Sequence, residues 1–225
     1  MIRKTIIVVA GGKGSRMNSE TPKQFLTLAN VPVIVHTINR FISFDPLIKI
    51  VLVLPEEHVH VWEEISIEYK ISHIVDVVVG GETRYQSVQN GMKVIESTDV
   101  VGVHDGVRPL VSNETIERCF QIAYESGNAI PSLPVEETLR KTNGEDSNWV
   151  NRDEYRTIQT PQCFRYKVLK NAYNQPFEAS FTDDASVVEN LGVSIKLVDG
   201  NRENLKITRP EDLLLAELLI NSENG

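Results

Sequence analysis

The chain has 225 residues, 41% of them hydrophobic, which suffices for one sizeable core and stands near the upper size of a single domain. A formal net charge of −8 with no dense basic tract excludes a nucleic-acid surface, where clustered Lys and Arg supply most of the affinity. No apolar run approaches the roughly 18 residues of a membrane span and no charged-then-apolar leader opens the chain, so a cytoplasmic protein without membrane contact is expected.

The first element is the uninterrupted run Thr5-Ile6-Ile7-Val8-Val9-Ala10, which reads as a strand buried on both faces because it lacks polar alternation. It stops at Gly11, Gly12 and Gly14, where missing Cβ atoms let backbone N–H groups approach an anion. Residues 1–24 hold five basic side chains (Arg3, Lys4, Lys13, Arg16, Lys23) against Glu20 alone, a local inversion of the overall charge that points to a polyanionic ligand. The spacing fits neither the Walker loop nor the dinucleotide fingerprint: Gly-Lys is followed by Gly, and Met17 stands where a third fingerprint glycine belongs.

Residues 32–44 read as a helix, 48–54 as a second buried strand ended by Pro55, and 56–69 as a helix. His58 and His60 are two apart and do not share a helical face, so both are expected at the surface rather than on a metal. Val75–Val79 is a third strand, after which Gly80-Gly81-Glu82 opens the next helix in a tight turn. Residues 100–104 form a fourth strand. In an open parallel sheet ligands bind beyond the carboxyl ends of strands, so Asp105 and Arg108, next in the chain, stand at the rim, where they either meet a ligand or pair to hold a turn.

A helix over Asn113–Ser126 has Ser112 as its N-cap, and 129–135 reads as a strand that Pro131 and Pro134 should confine to an edge. Residues 136–158 break the rhythm with two short strands, around 136–144 and 149–152, joined by a polar turn at Asn143-Gly144. Two strands alone are marginal in water and need a surface to pack on. Cys119 and Cys163 lie in apolar settings without a Cys-x-x-Cys pair and are expected to be packing residues in a reducing compartment. Thr182 caps a helix start, 195–198 and 204–208 read as strands, and Arg209-Pro210 opens a final helix. The expected architecture is α/β, a Rossmann-like, mostly parallel sheet with helices on both faces and a protruding β-arm, in one domain over 1–225.

The loop Ala10-Gly11-Gly12-x-Gly14-x-Arg16-Met17, followed by Pro22-Lys23-Gln24-Phe25, Asp105-x-x-Arg108-Pro109 and Thr160-Pro161-Gln162-Cys163-Phe164, resembles the signature of the sugar- and polyol-phosphate cytidylyltransferases. Within them it is most similar to the 2-C-methyl-D-erythritol 4-phosphate cytidylyltransferase family of the non-mevalonate isoprenoid pathway, and the likeness extends over 6–219. The resemblance implies transfer of CMP from CTP to a polyol phosphate, with release of pyrophosphate. Arg16 and Lys23 would stabilise charge on the α-phosphate, while Lys206 and Arg152 would hold the acceptor phosphate. Ala10, Gly11, Gly12 and Gly14, with Gly80, Gly81, Glu82 and Ser87, would bind the nucleotide. Asp105, Arg108, Thr138, Thr160 and Thr182 would bind the polyol phosphate, Asp105 alternatively approaching Mg2+. A homodimer would form through the 136–158 arm, which would deliver Arg152 to the neighbouring site. Such a reaction needs no general base, because the attacking phosphate is already an anion; the load falls on positioning and preorganised positive charge.

Two alternatives stand beside this one. A ribitol-5-phosphate cytidylyltransferase shares the glycine loop and the Asp-x-x-Arg-Pro turn, and Gly11 stands where methylerythritol enzymes often carry a second Ala; residues 182–186 and 208–212 look more like the methylerythritol enzyme. A nucleotide-binding protein without catalysis would bind CTP and release no pyrophosphate.

Overall fold

The computed structural model describes residues 2–12, 17 and 21–223. The first half of the chain follows the expected alternation: β1 (Lys4–Val9), a small antiparallel pair β2 (Thr27–Leu28) and β3 (Val31–Pro32), α1 (Val33–Phe44), β4 (Lys49–Leu54), α2 (Val59–Glu68), β5 (Val75–Val79), α3 (Arg84–Lys93), β6 (Val100–Asp105) and α4 (Asn113–Ser126). The second half carries β7 (Asn128–Pro134), the hairpin β8 (Arg140–Asn143) and β9 (Asp146–Trp149), β10 (Arg156–Ile158), β11 (Gln162–Arg165), α5 (Tyr166–Ala172), α6 (Asp184–Glu189), β12 (Leu197–Asp199) and α7 (Pro210–Glu223).

The main sheet runs β5-β4-β1-β6-β11-β7, with β10 and β12 also paired to β7. β1 is parallel to both β4 and β6, as its apolar run requires, while β10 and β11 run against their neighbours. Successive β1 side chains feed opposite cores. Ile6 and Val8 pack with α1, α2 and α4 around Trp62, Phe41 and Phe120, whereas Ile7 packs with α3, α5 and α6 around Val88, Leu169 and Val188. A third cluster joins α7, through Ala216 and Ile220, to Leu28, Val107 and Ile207. Cys119 and Cys163 are free and fully buried, as expected of packing residues.

Three local expectations are corrected. The proline-bearing β7 is not an edge strand, since β10 and β11 pair with successive parts of it and β12 runs parallel to it. Its Ile130 N–H and Ser132 carbonyl bond toward β12, while Pro131 offers only its carbonyl, to Gln159 N–H, where the neighbouring chain is interrupted between Ile158 and Gln162. No ladder position there asks for the N–H that proline lacks. Residues 204–208 form no strand: Asn204 is buried and donates to the Thr160 carbonyl, and Ile207 N–H bonds the Val107 carbonyl, so local partners replace a ladder. The cap of α6 is Asp183 rather than Thr182; its carboxylate accepts from Ser186 N–H and the Ser186 hydroxyl accepts in return, a reciprocal capping box. Ser112 caps α4 as expected.

The arm is a true hairpin, Asn143 opposite Asp146 and Gly144 at φ 64°, with every residue of β8 and β9 exposed. It spans less chain than the 136–158 arm expected, because the segment from Arg156 returns to the main sheet, and its strands, 140–143 and 146–149, differ from the expected 136–144 and 149–152.

Candidate functional site

A cleft of about 230 Å³ opens beyond the carboxyl ends of β1 and β6 and beside the amino end of α3, where an open parallel sheet places its ligand. Val9, Ala10, Gly11 and Gly12 form one wall. Lys13, Gly14 and Arg16 lie outside the described residues. Lys23 is brought to the same wall by one turn of 3₁₀ helix, Lys23–Phe25, entered through Pro22 and anchored by buried Gln24 and Phe25. The lysine therefore rides on a fixed turn, and a Cβ placed on Gly12 would meet its Cε at 3.5 Å and its Nζ at 3.7 Å. Gln24 in turn meets His58, Nε2 to Nδ1 at 3.2 Å, and the His58 ring stands edge-on to Phe25. His58 is thus half-buried packing rather than the free surface residue expected, while His60 is exposed.

The turn before α3 forms the second wall. Thr83 caps the helix by accepting from Gln86 N–H. The buried Ser87 hydroxyl accepts Gly81 N–H at 3.2 Å and donates to the Thr83 carbonyl at 2.9 Å, so it shapes the turn from beneath. Gln86 holds Glu82 N–H at 2.8 Å and fills the space beside Gly81, where an added Cβ would lie 2.4 Å from Gln86 Cβ. Gly81, Glu82 and Ser87 line the cleft; Gly80 stands behind them, with room for only a hydrogen against Ser87 Oγ.

The floor is organised by Asp105. Its Oδ2 accepts from Arg108 Nε at 3.0 Å and lies 3.1 Å from Lys206 Nζ. The Asp105–Arg108 pair holds the turn, and Asp105 also lines the cleft. Burial works against its charge, but Lys206, Arg108 and Arg84 outweigh that and hold the carboxyl well below the usual carboxylate range. Arg108 Nη1 also donates to the Asn204 carbonyl at 2.8 Å, tying this turn to the segment that carries Lys206. The closeness of the β6 turn to the glycine wall depends on Gly106, where a Cβ would come within 2.9 Å of Ala10 Cβ. Fully buried His104 has its pKa pushed down to about 4 by burial and so stays neutral.

Arg84 completes the lining and was not singled out in the sequence. Its guanidinium donates to Asp184 Oδ2 at 2.6 Å; Asp184 is fully buried, and its Oδ1 accepts from the Tyr173 hydroxyl at 2.6 Å. A signal existed. Arg84 is the first residue of α3, an end where the helix dipole disfavours a cation, so a compensating anion was to be looked for.

The other expected residues do not line this cleft. Thr160 turns its hydroxyl inward, to His104 Nδ1 and Asp105 N–H, and does not line the cleft. Thr138 and Arg152 sit exposed on the arm, where the Arg152 guanidinium donates to the Glu136 carbonyl of its own chain. Thr182 is exposed, and its N–H bonds Ser186 Oγ.

A doubly covered, mostly parallel sheet whose strand-end cleft gathers Lys23, Lys206 and Arg84 beside a glycine turn places the chain in the Rossmann-like α/β class, with a site suited to a polyanion, and the family match makes it a nucleotidyltransferase. The family model for 2-C-methyl-D-erythritol 4-phosphate cytidylyltransferase (IspD) matches residues 4–222, and the chain belongs to that family. It is 47% identical to the 2-C-methyl-D-erythritol 4-phosphate cytidylyltransferase of Bacteroides thetaiotaomicron, covering 97% of this chain and 100% of that one. It is 48% identical to the enzyme of the same name from Bacteroides fragilis, covering 96% and 99%. The crystal structure of the Thermus thermophilus enzyme superposes with a TM-score of 0.77 at 30% identity, covering 98% of this chain and 100% of that one. The choice left open by the glycine loop falls to the methylerythritol branch.

Proposed function

We propose that this protein transfers the cytidylyl group of CTP to the phosphate of 2-C-methyl-D-erythritol 4-phosphate. An oxygen of the polyol phosphate attacks the α-phosphorus of CTP, the bond to the bridging oxygen breaks, and pyrophosphate leaves. The observation that carries this reading is the single cleft in which Lys23 lies over the glycine wall and Lys206 is held by Asp105. The nucleotide lies along Ala10–Gly12 and the Gly81–Ser87 turn, with its α-phosphate at Lys23; the acceptor phosphate sits at Lys206, beside Asp105 and Arg108. Neither substrate needs deprotonation at neutral pH, so fixed cations do the work of lowering repulsion between two anions.

Among the described residues the cleft's carboxylates are Glu82 and Asp105, and no group of three or more His, Cys, Asp or Glu is placed to hold an ion alone. An oxygen set this small suits Mg2+ carried mainly on phosphate oxygens and water, with Asp105 as the protein carboxylate nearest the reacting phosphates. Bound there, the ion would neutralise part of the triphosphate charge. The arm fits a homodimer: it is an exposed hairpin with Trp149 at 66% exposure, and its Thr138 and Arg152 are exposed and do not line the cleft of their own chain. In a pair of chains they would complete the partner's cleft. Two free buried cysteines suit a cytoplasmic, reducing location.

The test is pyrophosphate release from CTP with Mg2+, comparing methylerythritol phosphate with ribitol 5-phosphate. Turnover of the first is expected, and chelating Mg2+ is expected to abolish it. Turnover of ribitol phosphate alone would overturn the substrate, and CTP binding without release under either condition would overturn catalysis. Gly81→Ala is expected to weaken CTP binding about tenfold in calorimetry, because its Cβ must displace Gln86 from Glu82 N–H at a cost on the order of 1–3 kcal/mol. An unaltered affinity would separate this turn from the nucleotide.

A further inference from the structure

The Asp105 turn is closed on itself by a side chain that does not line the cleft. His104 Nε2 lies 3.1 Å from the Arg108 carbonyl, and a carbonyl only accepts, so Nε2 carries the proton. In a neutral ring Nδ1 is then an acceptor. The Thr160 hydroxyl, 3.0 Å away, donates to it, which leaves the threonine lone pair to accept Asp105 N–H at 3.1 Å. Each member's polarity follows from the one before: Asp105 N–H to Thr160, Thr160 to His104, His104 to the Arg108 carbonyl. The ring stands edge-on to Phe41 at 4.9 Å between centroids and is fully buried, so it has one orientation. The same Thr160 offers its carbonyl to Asn204, whose own carbonyl holds Arg108, so the relay also reaches the segment that ends in Lys206.

We infer that His104 is a positioning residue for the acceptor half of the site: through Thr160 it sets the plane of the Asp105 backbone, and thereby aims the carboxylate that Arg108 and Lys206 share. Substrate never touches it. The inference deepens the proposed reading and rests on Asp105, Arg108 and Lys206 serving the polyol phosphate. It also gives the Thr160 hydroxyl a task, holding Asp105 rather than substrate.

The two amide substitutions separate the two ends of the ring. His104→Asn keeps an acceptor at the δ position, toward Thr160, and loses the ε donor; His104→Gln keeps the ε donor and loses the δ acceptor. Both lose the ring against Phe41, so that packing loss is common to them and cancels in the comparison. Thr160→Val preserves shape and removes the hydroxyl. With methylerythritol phosphate as the varied substrate, His104→Gln and Thr160→Val are each expected to raise KM about tenfold, the scale of a small misplacement, with CTP affinity within about twofold of wild type. His104→Asn is expected to recover most of the loss. The His104→Gln/Thr160→Val double variant is expected to be no worse than either single one, because both cut one link. The inference is overturned if Asn is as impaired as Gln, if the two substitutions multiply, or if CTP affinity falls in step with the polyol phosphate. A double-mutant cycle on urea unfolding reads the same link without substrate: additive effects would overturn it, and wild-type turnover judges the parent reading separately.

Discussion

Replacing Asp184 by alanine is expected to lower the thermal unfolding midpoint by about 6–12 °C, the largest stability change of any single substitution around the cleft. The carboxylate is fully buried and serves two partners, the Arg84 guanidinium at Oδ2 and the Tyr173 hydroxyl at Oδ1, each at 2.6 Å. Truncation removes neither partner from its place. Arg84 is held at the start of α3, and Tyr173 is pinned by its stack on Tyr85 at 4.8 Å, so both polar groups remain with no acceptor. Breaking one side of a buried ion pair costs about 3–5 kcal/mol, and because the Arg84 side chain is 30% exposed and recovers some hydration, the lower end, about 3 kcal/mol, is the appropriate figure. Asp184→Asn keeps an acceptor for Tyr173 and the same volume, so it should fall between wild type and Asp184→Ala. Calorimetric unfolding of the three proteins is the measurement; a shift under about 2 °C for the alanine variant would mean that the pair is dispensable. The result bears on function, because this pair ties α6 to Arg84 in the wall of the cleft.

Much of the fold was legible because its signals are local and repeated. β1, β4 and β6 are apolar without alternation, which only a strand covered on both faces tolerates, and the cap of α4 is a short polar residue ahead of an amphipathic run. β7 was misplaced because proline was weighed as an edge signal by itself. Its fit depends on a gap in the neighbouring chain at 159–161, which no property of β7 can report. The cap of α6 was missed by one residue, since Thr182 and Asp183 are both able caps and only the return contact from Ser186 distinguishes them. The segment carrying Lys206 reads as a strand in sequence, Leu205 and Ile207 standing between polar residues, yet such alternation also arises when a loop turns one side into a core.

In the candidate site, residues that announce themselves locally are legible in the sequence, and those that depend on distant partners are not. Lys23, Asp105 and Lys206 stand at turns and meet in one cleft. Arg84 depends on Asp184, one hundred residues on, and the Thr160 hydroxyl on His104, fifty-six residues back. A threonine in a matching motif suggests a substrate ligand, yet its burial diverts it to holding Asp105. Pairings of that range are fixed by sheet order, here by β11 lying against β6, and sheet order is a global property.

Lys23→Ala is expected to lower kcat about 10²-fold, equivalent to about 3 kcal/mol of transition-state stabilisation, while KM for CTP changes far less. The asymmetry follows from where the charge goes. In the ground state the triphosphate meets several cations and backbone N–H groups, and losing one lysine removes a small part of that attraction. As the acceptor oxygen approaches the α-phosphorus, negative charge builds on the bridging oxygen, and a preorganised ammonium beside the glycine wall gains most at that moment. The substitution should leave the backbone in place, since Pro22 leads into the turn and the buried Gln24 and Phe25 anchor it. Lys23→Arg should recover little, because a planar fork cannot replace a compact point charge that lies where a Cβ on Gly12 would come within 3.7 Å of it. Steady-state kinetics at saturating CTP make the test: a kcat within threefold of wild type, or a loss confined to KM, would reduce Lys23 to ground-state binding and move the burden of charge stabilisation to other cations of the cleft, Arg84 first among the described ones.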